Sequence, residues 1–207
     1  MSDSASDSAH DSPADPGRRA WVAITAGAGA LGGVAVAVPF VSSFAPSERA
    51  KAAGAAVEAD ISALEPGQKM TVEWRGKPVW IVRRTKEQLA ALPKLDPQLA
   101  DPDSKRKPDE FTPAYARNGW RSIKPEYLVA VGICTHLGCS PSDKLQAGAQ
   151  PSLPDDWQGG WLCPCHGSTF DLAGRVFKNK PAPDNLEVPP HMYLSDTTLL
   201  IGEDKKA

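Results

Sequence analysis

The sequence lacks an excess of basic charge: 23 Lys and Arg against 25 Asp and Glu give a formal net charge of −2. No basic stripe runs along it, which excludes the electrostatic footprint of a nucleic-acid binder. The opening MSDSASDSAHDSPADP has four Asp, no Lys or Arg and almost no large apolar group. Such a segment cannot bury enough surface to fold, so residues 1–17 are expected to form a disordered tail. The same lack of arginine excludes a mitochondrial transit peptide and favours a bacterial protein. No internal repeat is evident, and 207 residues suffice for one well-cored domain with appendages. Cysteine is scarce as well, with four in the chain, so their placement carries much of the functional information.

Charge is absent altogether from Ala20 to Phe44. At about 1.5 Å per residue, part of this run spans a hydrocarbon core of roughly 30 Å. A cleaved signal peptide has an apolar region of only about 7–15 residues, and a cut after Ala45 would leave Pro46 beside the scissile bond. Residues 18–44 therefore read as an uncleaved membrane anchor. Gly29 and Gly33 give it a GxxxG spacing that lets a partner helix approach closely. Arg18-Arg19, followed by Trp21, resembles a twin-arginine export signal, with Trp where Phe is more usual. That route carries folded proteins, which suits a chain whose cofactor is inserted before export. Arg18 and Arg19 on one flank and Arg49 and Lys51 on the other leave the orientation open by charge alone.

Residues 45–60 are small, Ala-rich and mildly charged, and read as a flexible tether or a helical turn. Beyond them, QKMTVEWRGKPVWIVRRT predicts two strands around a turn at residues 75–78. Thr85 to Gln88 fits a capping box opening a short helix through Leu92, stopped by Pro93. Residues 93–114 read as a surface loop whose DPDSKRKPDE cluster is solvated. EYLVAVGI is a buried-type strand running into Cys134, and NLEVPPHMYLSDTTLLIG offers two more strands. The stretch from Ser140 to Leu162 reads as a surface excursion. Residues 61–207 are thus expected to form one mainly β head of short antiparallel strands.

All four cysteines and two of the four histidines fall in VGICTHLGCS and WLCPCHGSTF. Two disulfides alone would leave both histidines unexplained. A structural zinc site more often pairs Cys with Cys and His with His at close spacing, whereas each stretch here offers Cys and His together. A third arrangement takes one Cys and one His from each stretch and leaves two cysteines to pair. That donor set is the one a Rieske 2Fe–2S centre needs, thiolates on one iron and imidazoles on the other.

CTHLGC with CPCHGS resembles the Rieske iron–sulfur subunits of quinol–cytochrome c reductase complexes, and the likeness extends to the twin-arginine region, anchor, tether and head. It implies a mainly β, Rieske-type antiparallel head with an inserted cluster-binding subdomain (loops at about 132–142 and 161–174) behind one transmembrane helix. It further implies one 2Fe–2S cluster on Cys134, His136, Cys163 and His166, and a disulfide between Cys139 and Cys165. Soluble Rieske ferredoxins and oxygenase domains lack that additional cysteine pair. By the same resemblance Leu137, Gly138 and the KPAPDN segment around Pro181 shield the cluster, and Ser168 donates to a bridging sulfide. Phe170 stands where many high-potential members have a Tyr that donates to a ligating sulfur. His166 and His136 are the residues expected to meet quinol. The implied partners are ubiquinol, cytochrome b, a c-type cytochrome subunit and the membrane, in a dimeric complex. The implied placement is single-pass in a bacterial inner membrane, N-terminus cytoplasmic and head periplasmic. Another exported redox enzyme, such as arsenite oxidase, is the alternative host. His10 and His191 lie outside the motif, and His191 reads as an ordinary surface residue.

Overall fold

The computed structural model describes residues 16–47 and 54–204, the side chains of residues 108 and 109 excepted. It divides into an N-terminal unit, Met1–Ala50, and a head, Lys51–Ala207. The tail expected at the N-terminus lies, up to residue 15, outside the described residues. In the first unit, helix α1 spans Pro16–Ser42. Pro16 stands at its start, where a missing N–H leaves no intrahelical bond unmade. The Thr25 hydroxyl donates to Trp21 O (2.9 Å) and the Ser42 hydroxyl to Pro39 O (3.0 Å). An apolar surrounding requires such internal satisfaction of polar groups. With 27 residues, about 40 Å of helix, α1 is long and apolar enough to cross a membrane.

The head contains β1 (Val57–Asp60), β2 (Lys69–Trp74), β3 (Lys77–Arg83), α2 (Lys86–Leu95) and a one-turn α3 (Pro108–Phe111). It continues with β4 (Tyr127–Val131), β5 (Ser142–Lys144), β6 (Gly160–Leu162), β7 (Thr169–Asp171), β8 (His191–Tyr193) and β9 (Thr198–Ile201). These strands make three antiparallel three-stranded sheets, ordered β1-β9-β8, β2-β3-β4 and β5-β6-β7. The third sheet falls wholly between β4 and β8 in sequence, so it is an insertion into the other two. The β2–β3 turn is closed by Arg75 (φ 51°) and Gly76 (φ 70°), the paired left-handed conformations of a tight hairpin.

Strand β4 and the Val79–Val82 stretch of β3 are apolar because both their faces are covered. Val79, Ile81, Tyr127, Val129 and Val131 pack with Ala59, Ile61, Leu199 and Ile201. Trp80, Val82, Leu128 and Ala130 point the other way and pack with Trp161, Phe170, Cys134 and Cys163. The two-residue period thus divides one sheet between two cores. Each fully buried aliphatic side chain contributes about 1.5–3 kcal/mol. The stacked indoles of Trp80 and Trp161, 5.3 Å apart, join the central sheet to the inserted one.

Three buried arginines fasten the turn that follows β7. Arg84 donates to Leu172 O (3.0 Å) as well as to Trp120 O, Pro125 O and the Ser122 hydroxyl. Arg121 donates to Ala173 O (3.0 Å), Gly174 O (3.3 Å) and Leu186 O (2.7 Å), and to the hydroxyls of Ser104 and Thr112. Arg175 pairs with Asp171 (2.8 Å) and Asp96 (2.7 Å) and donates to Leu92 O. Burial pulls the Arg84 and Arg121 guanidinium groups below their ordinary pKa, opposed by the charge of Asp171.

Several local expectations change on folding. Val57–Asp60, read as the end of the tether, is β1, held by register with β9 from Val57↔Ile201 to Asp60↔Thr198. Helix α2 has its Thr85–Gln88 capping box but continues past Pro93 to Leu95. A proline in the last turn forfeits one hydrogen bond, and burial of Leu92 and Leu95 outweighs it. The stretch 93–114 is not merely a surface loop, since Leu99, Asp101, Ser104 and Thr112 are buried. Within the expected excursion at 140–162, β5 and β6 pair with each other, and the buried Trp157 donates its Nε1–H to Lys144 O (2.8 Å). His191, expected at the surface, is 1% exposed. It lies edge-on to Tyr115, with Nδ1 2.8 Å from Pro189 O.

Candidate metal centre

The two cysteine–histidine stretches fold as the same six-residue loop. The Cys134 N–H donates to Cys139 O (2.8 Å) and the Gly138 N–H to Cys134 O (3.1 Å). The Cys163 N–H donates to Ser168 O (2.7 Å) and the Gly167 N–H to Cys163 O (3.0 Å). Gly138 (φ 82°) and Gly167 (φ 76°) supply the left-handed residue that closes each loop. No repeat was legible in the whole sequence, yet the Cys-x-x-x-Gly spacing common to both loops marks this small one.

The loops present unlike groups from like backbones. Cys134 and Cys163 open them, both free thiols and both buried. Cys139 and Cys165 form a disulfide with a Cα–Cα distance of 6.7 Å. The sulfurs of Cys139, Cys163 and Cys165 lie within 4.8 Å of one another. Two of those three are consumed by the disulfide, so they do not make a three-thiolate site. At the loop tips the His136 and His166 rings stand edge-to-face, 4.7 Å between centroids. His166 is exposed and His136 half-buried. Burial pushes the Cys134 thiol up, with its neighbour Cys163 adding to the rise and the His136 backbone and Ser168 hydroxyl opposing it.

The remaining expected residues surround this arrangement. Leu137 is 72% exposed, and Gly138 beside it and Pro181 are also exposed. Ser168 is fully buried, and its Oγ accepts the Ala182 N–H (3.0 Å), which leaves the hydroxyl proton to point elsewhere. Phe170 is fully buried in β7 opposite Trp161. Thr135, passed over in the sequence, donates its hydroxyl to Asp184 O (2.6 Å) and so ties the first loop to the proline-rich segment. Two buried thiols with two imidazoles at the loop tips, one exposed and one half-buried, make a sulfur end and a nitrogen end. That donor chemistry fits a 2Fe–2S group with mixed ligands.

Residues 117–190 match the model of the Rieske [2Fe-2S] domain. The ubiquinol–cytochrome c reductase iron–sulfur subunit of Allochromatium vinosum is 61% identical over 190 residues, 91% of this chain and 89% of that protein. The chain belongs to the Rieske iron–sulfur subunit family. The Rieske subunit of the same name from Rhodospirillum rubrum is 43% identical over 86% of this chain and 87% of its own. A chain of a hyperthermophilic respiratory Complex III is 27% identical over 86% of this chain and 98% of its own, with a TM-score of 0.45. The Rieske match covers β4 to the residue before β8, the whole inserted sheet included.

Proposed function

We propose that this chain is the electron-transfer subunit of a membrane-bound quinol–cytochrome c reductase. It holds one 2Fe–2S cluster, Cys134 and Cys163 binding the inner iron and His136 and His166 the outer one. The observation that carries this reading is the pairing of two buried free thiols with two juxtaposed imidazoles, beside a separate disulfide. When bound, such a cluster supplies a one-electron acceptor less negative than an all-thiolate one.

The protein's own part is positioning and proton handling. His166, exposed at its loop tip, receives the quinol hydroxyl as a hydrogen-bond partner and holds its proton on the ring nitrogen that faces solvent. His136 occupies the second tip, half-buried. Leu137 keeps water from the space between them, and the Cys139–Cys165 bond ties the two loops so that exposed tips do not loosen the buried thiolates. Movement of the head then carries the electron to a c-type cytochrome subunit. The quinol is ubiquinol, the site lies on cytochrome b, and the complex is a dimer. The chain crosses a bacterial inner membrane once through α1, N-terminus inside and head in the periplasm, after twin-arginine export.

Purification from membranes in mild detergent tests the host complex. Co-purification with b- and c-type haem supports the reductase. A chain that instead travels with a haem-free oxidoreductase, as an arsenite oxidase would, contradicts it.

A further inference from the structure

The charged segment at residues 101–107, which the sequence marks as solvated surface, is folded against the proline-rich segment that covers the cluster loops. The Asp101 carboxylate closes it into a turn by accepting the N–H groups of Lys105 (2.8 Å) and Arg106 (3.1 Å). Asn185 Nδ2 donates to Asp101 O (2.9 Å) and to the Ser104 hydroxyl (3.2 Å), while its Oδ1 takes the Val176 N–H. Past this anchor, Arg106 Nη1 donates to Pro183 O (2.6 Å), and Lys107 Nζ lies 3.2 Å from Asp184 Oδ2.

Residues 182–184 are therefore gripped on two sides. Inward, the Ala182 N–H donates to the Ser168 hydroxyl and Asp184 O accepts from the Thr135 hydroxyl, one bond to each cluster loop. Outward, Pro183 O and the Asp184 carboxylate are held by Arg106 and Lys107. Pro181 and Pro183 have no N–H, so this short segment has few polar groups of its own with which to fix its place. Thr135 lies between Cys134 and His136. The position of the Asp184 carbonyl is consequently felt by the first loop's thiol and imidazole together.

We propose that Arg106 and Lys107 are positioning residues for the metal centre: they hold residues 182–184 down on both cluster loops and so control solvent access to the iron. The Asp184 side chain is 11% exposed and that of Lys107 44% exposed, so the ion pair is partly screened and its effect is moderate. The proposal rests on the ligand reading given above.

The test uses the full-length protein with its cluster, purified in detergent, and the variants Arg106→Gln/Lys107→Gln and Lys107→Arg. Iron release to a chelator is followed by the loss of visible absorbance, the EPR spectrum of the reduced centre is recorded, and global unfolding is measured separately in urea. The expected result is iron release roughly fivefold faster in the double variant, the factor that about 1 kcal/mol of lost tethering represents. A changed EPR line shape, an unaltered urea midpoint and recovery of the slow rate in Lys107→Arg are expected with it. An unchanged release rate, or a faster one matched by an equal loss of global stability, overturns the positioning role while leaving the ligand reading intact. A wild-type protein with no iron–sulfur spectrum overturns both.

Discussion

Replacing Arg121 by Met should cost the head about 4 kcal/mol. Arg121 is fully buried, and its five N–H donors all have acceptors: Ser104 Oγ, Thr112 Oγ1 and the carbonyls of Ala173, Gly174 and Leu186. Met fills a similar length without donating. Gly174 O still accepts the Leu186 N–H (2.8 Å), and Ser104 Oγ still accepts from Asn185. Ala173 O and Leu186 O lose the bond from Arg121, as does Thr112 Oγ1, whose hydroxyl is free to rotate and is left out of the sum. A buried acceptor stripped of its partner costs about 1–3 kcal/mol, so two give about 4 kcal/mol. Relief of the buried guanidinium's desolvation offsets part of this, and loss of support for the left-handed backbone at Arg121 (φ 50°) adds to it. Lys should not rescue, because a single ammonium cannot reach acceptors spread around a planar fork. Urea unfolding of the full chain in detergent, followed by tryptophan fluorescence, measures the change. The exposed Lys105→Met serves as control, with an expected shift within about 0.5 kcal/mol. A loss below about 1 kcal/mol for Arg121→Met would refute the clamp described here.

Three other outcomes are expected. Phe170→Tyr places a hydroxyl in the buried cluster that holds Cys134 and Cys163; if it donates to a ligating sulfur with a differential effect of about 1 kcal/mol, the midpoint potential rises by about 40 mV, and a redox titration showing no rise rejects this. Removing the Cys139–Cys165 bond through paired Ser substitutions opens a loop with a sequence separation of 26 and should destabilise the head by about 3.5 kcal/mol in urea; an unchanged midpoint contradicts it. Burial holds His191 below its ordinary value of 6.5, so the unfolded chain takes up this proton first as pH falls. The resulting stability is complete above about pH 6.5 and is lost from there down to the folded-state value, and His191→Phe should flatten that part of the stability–pH curve.

Local chemistry was legible in the sequence wherever partners sit close along the chain. The β2–β3 hairpin announces itself through Arg75-Gly76, the start of α2 through Thr85 and Gln88, and β4 through an unbroken apolar run. The two metal-centre loops are marked by residue types and spacing alone. Features made by distant segments were hidden. β1 reads as tether because its partner β9 lies at the far end of the head, and His191 reads as exposed because Tyr115 covers it from another region. Arginines at 84 and 121 look like surface charge until the carbonyls of the turn after β7 are seen around them, and Arg175 until its pairing with the Asp171 carboxylate is seen. Thr135 and Asp184 give no sign of their contact, since a single hydroxyl–carbonyl bond has no sequence signature.

Pulsed EPR of the dithionite-reduced protein addresses the ligand set most directly. With iron bound by Cys134, Cys163, His136 and His166, the reduced 2Fe–2S signal should carry couplings from two imidazole nitrogens. Each of His136→Ser and His166→Ser should abolish that two-nitrogen signature, while paired Ser substitutions at Cys139 and Cys165 should leave it in whatever cluster is retained. A reduced centre without nitrogen couplings, or one whose two-nitrogen signature survives loss of either histidine, would contradict the account.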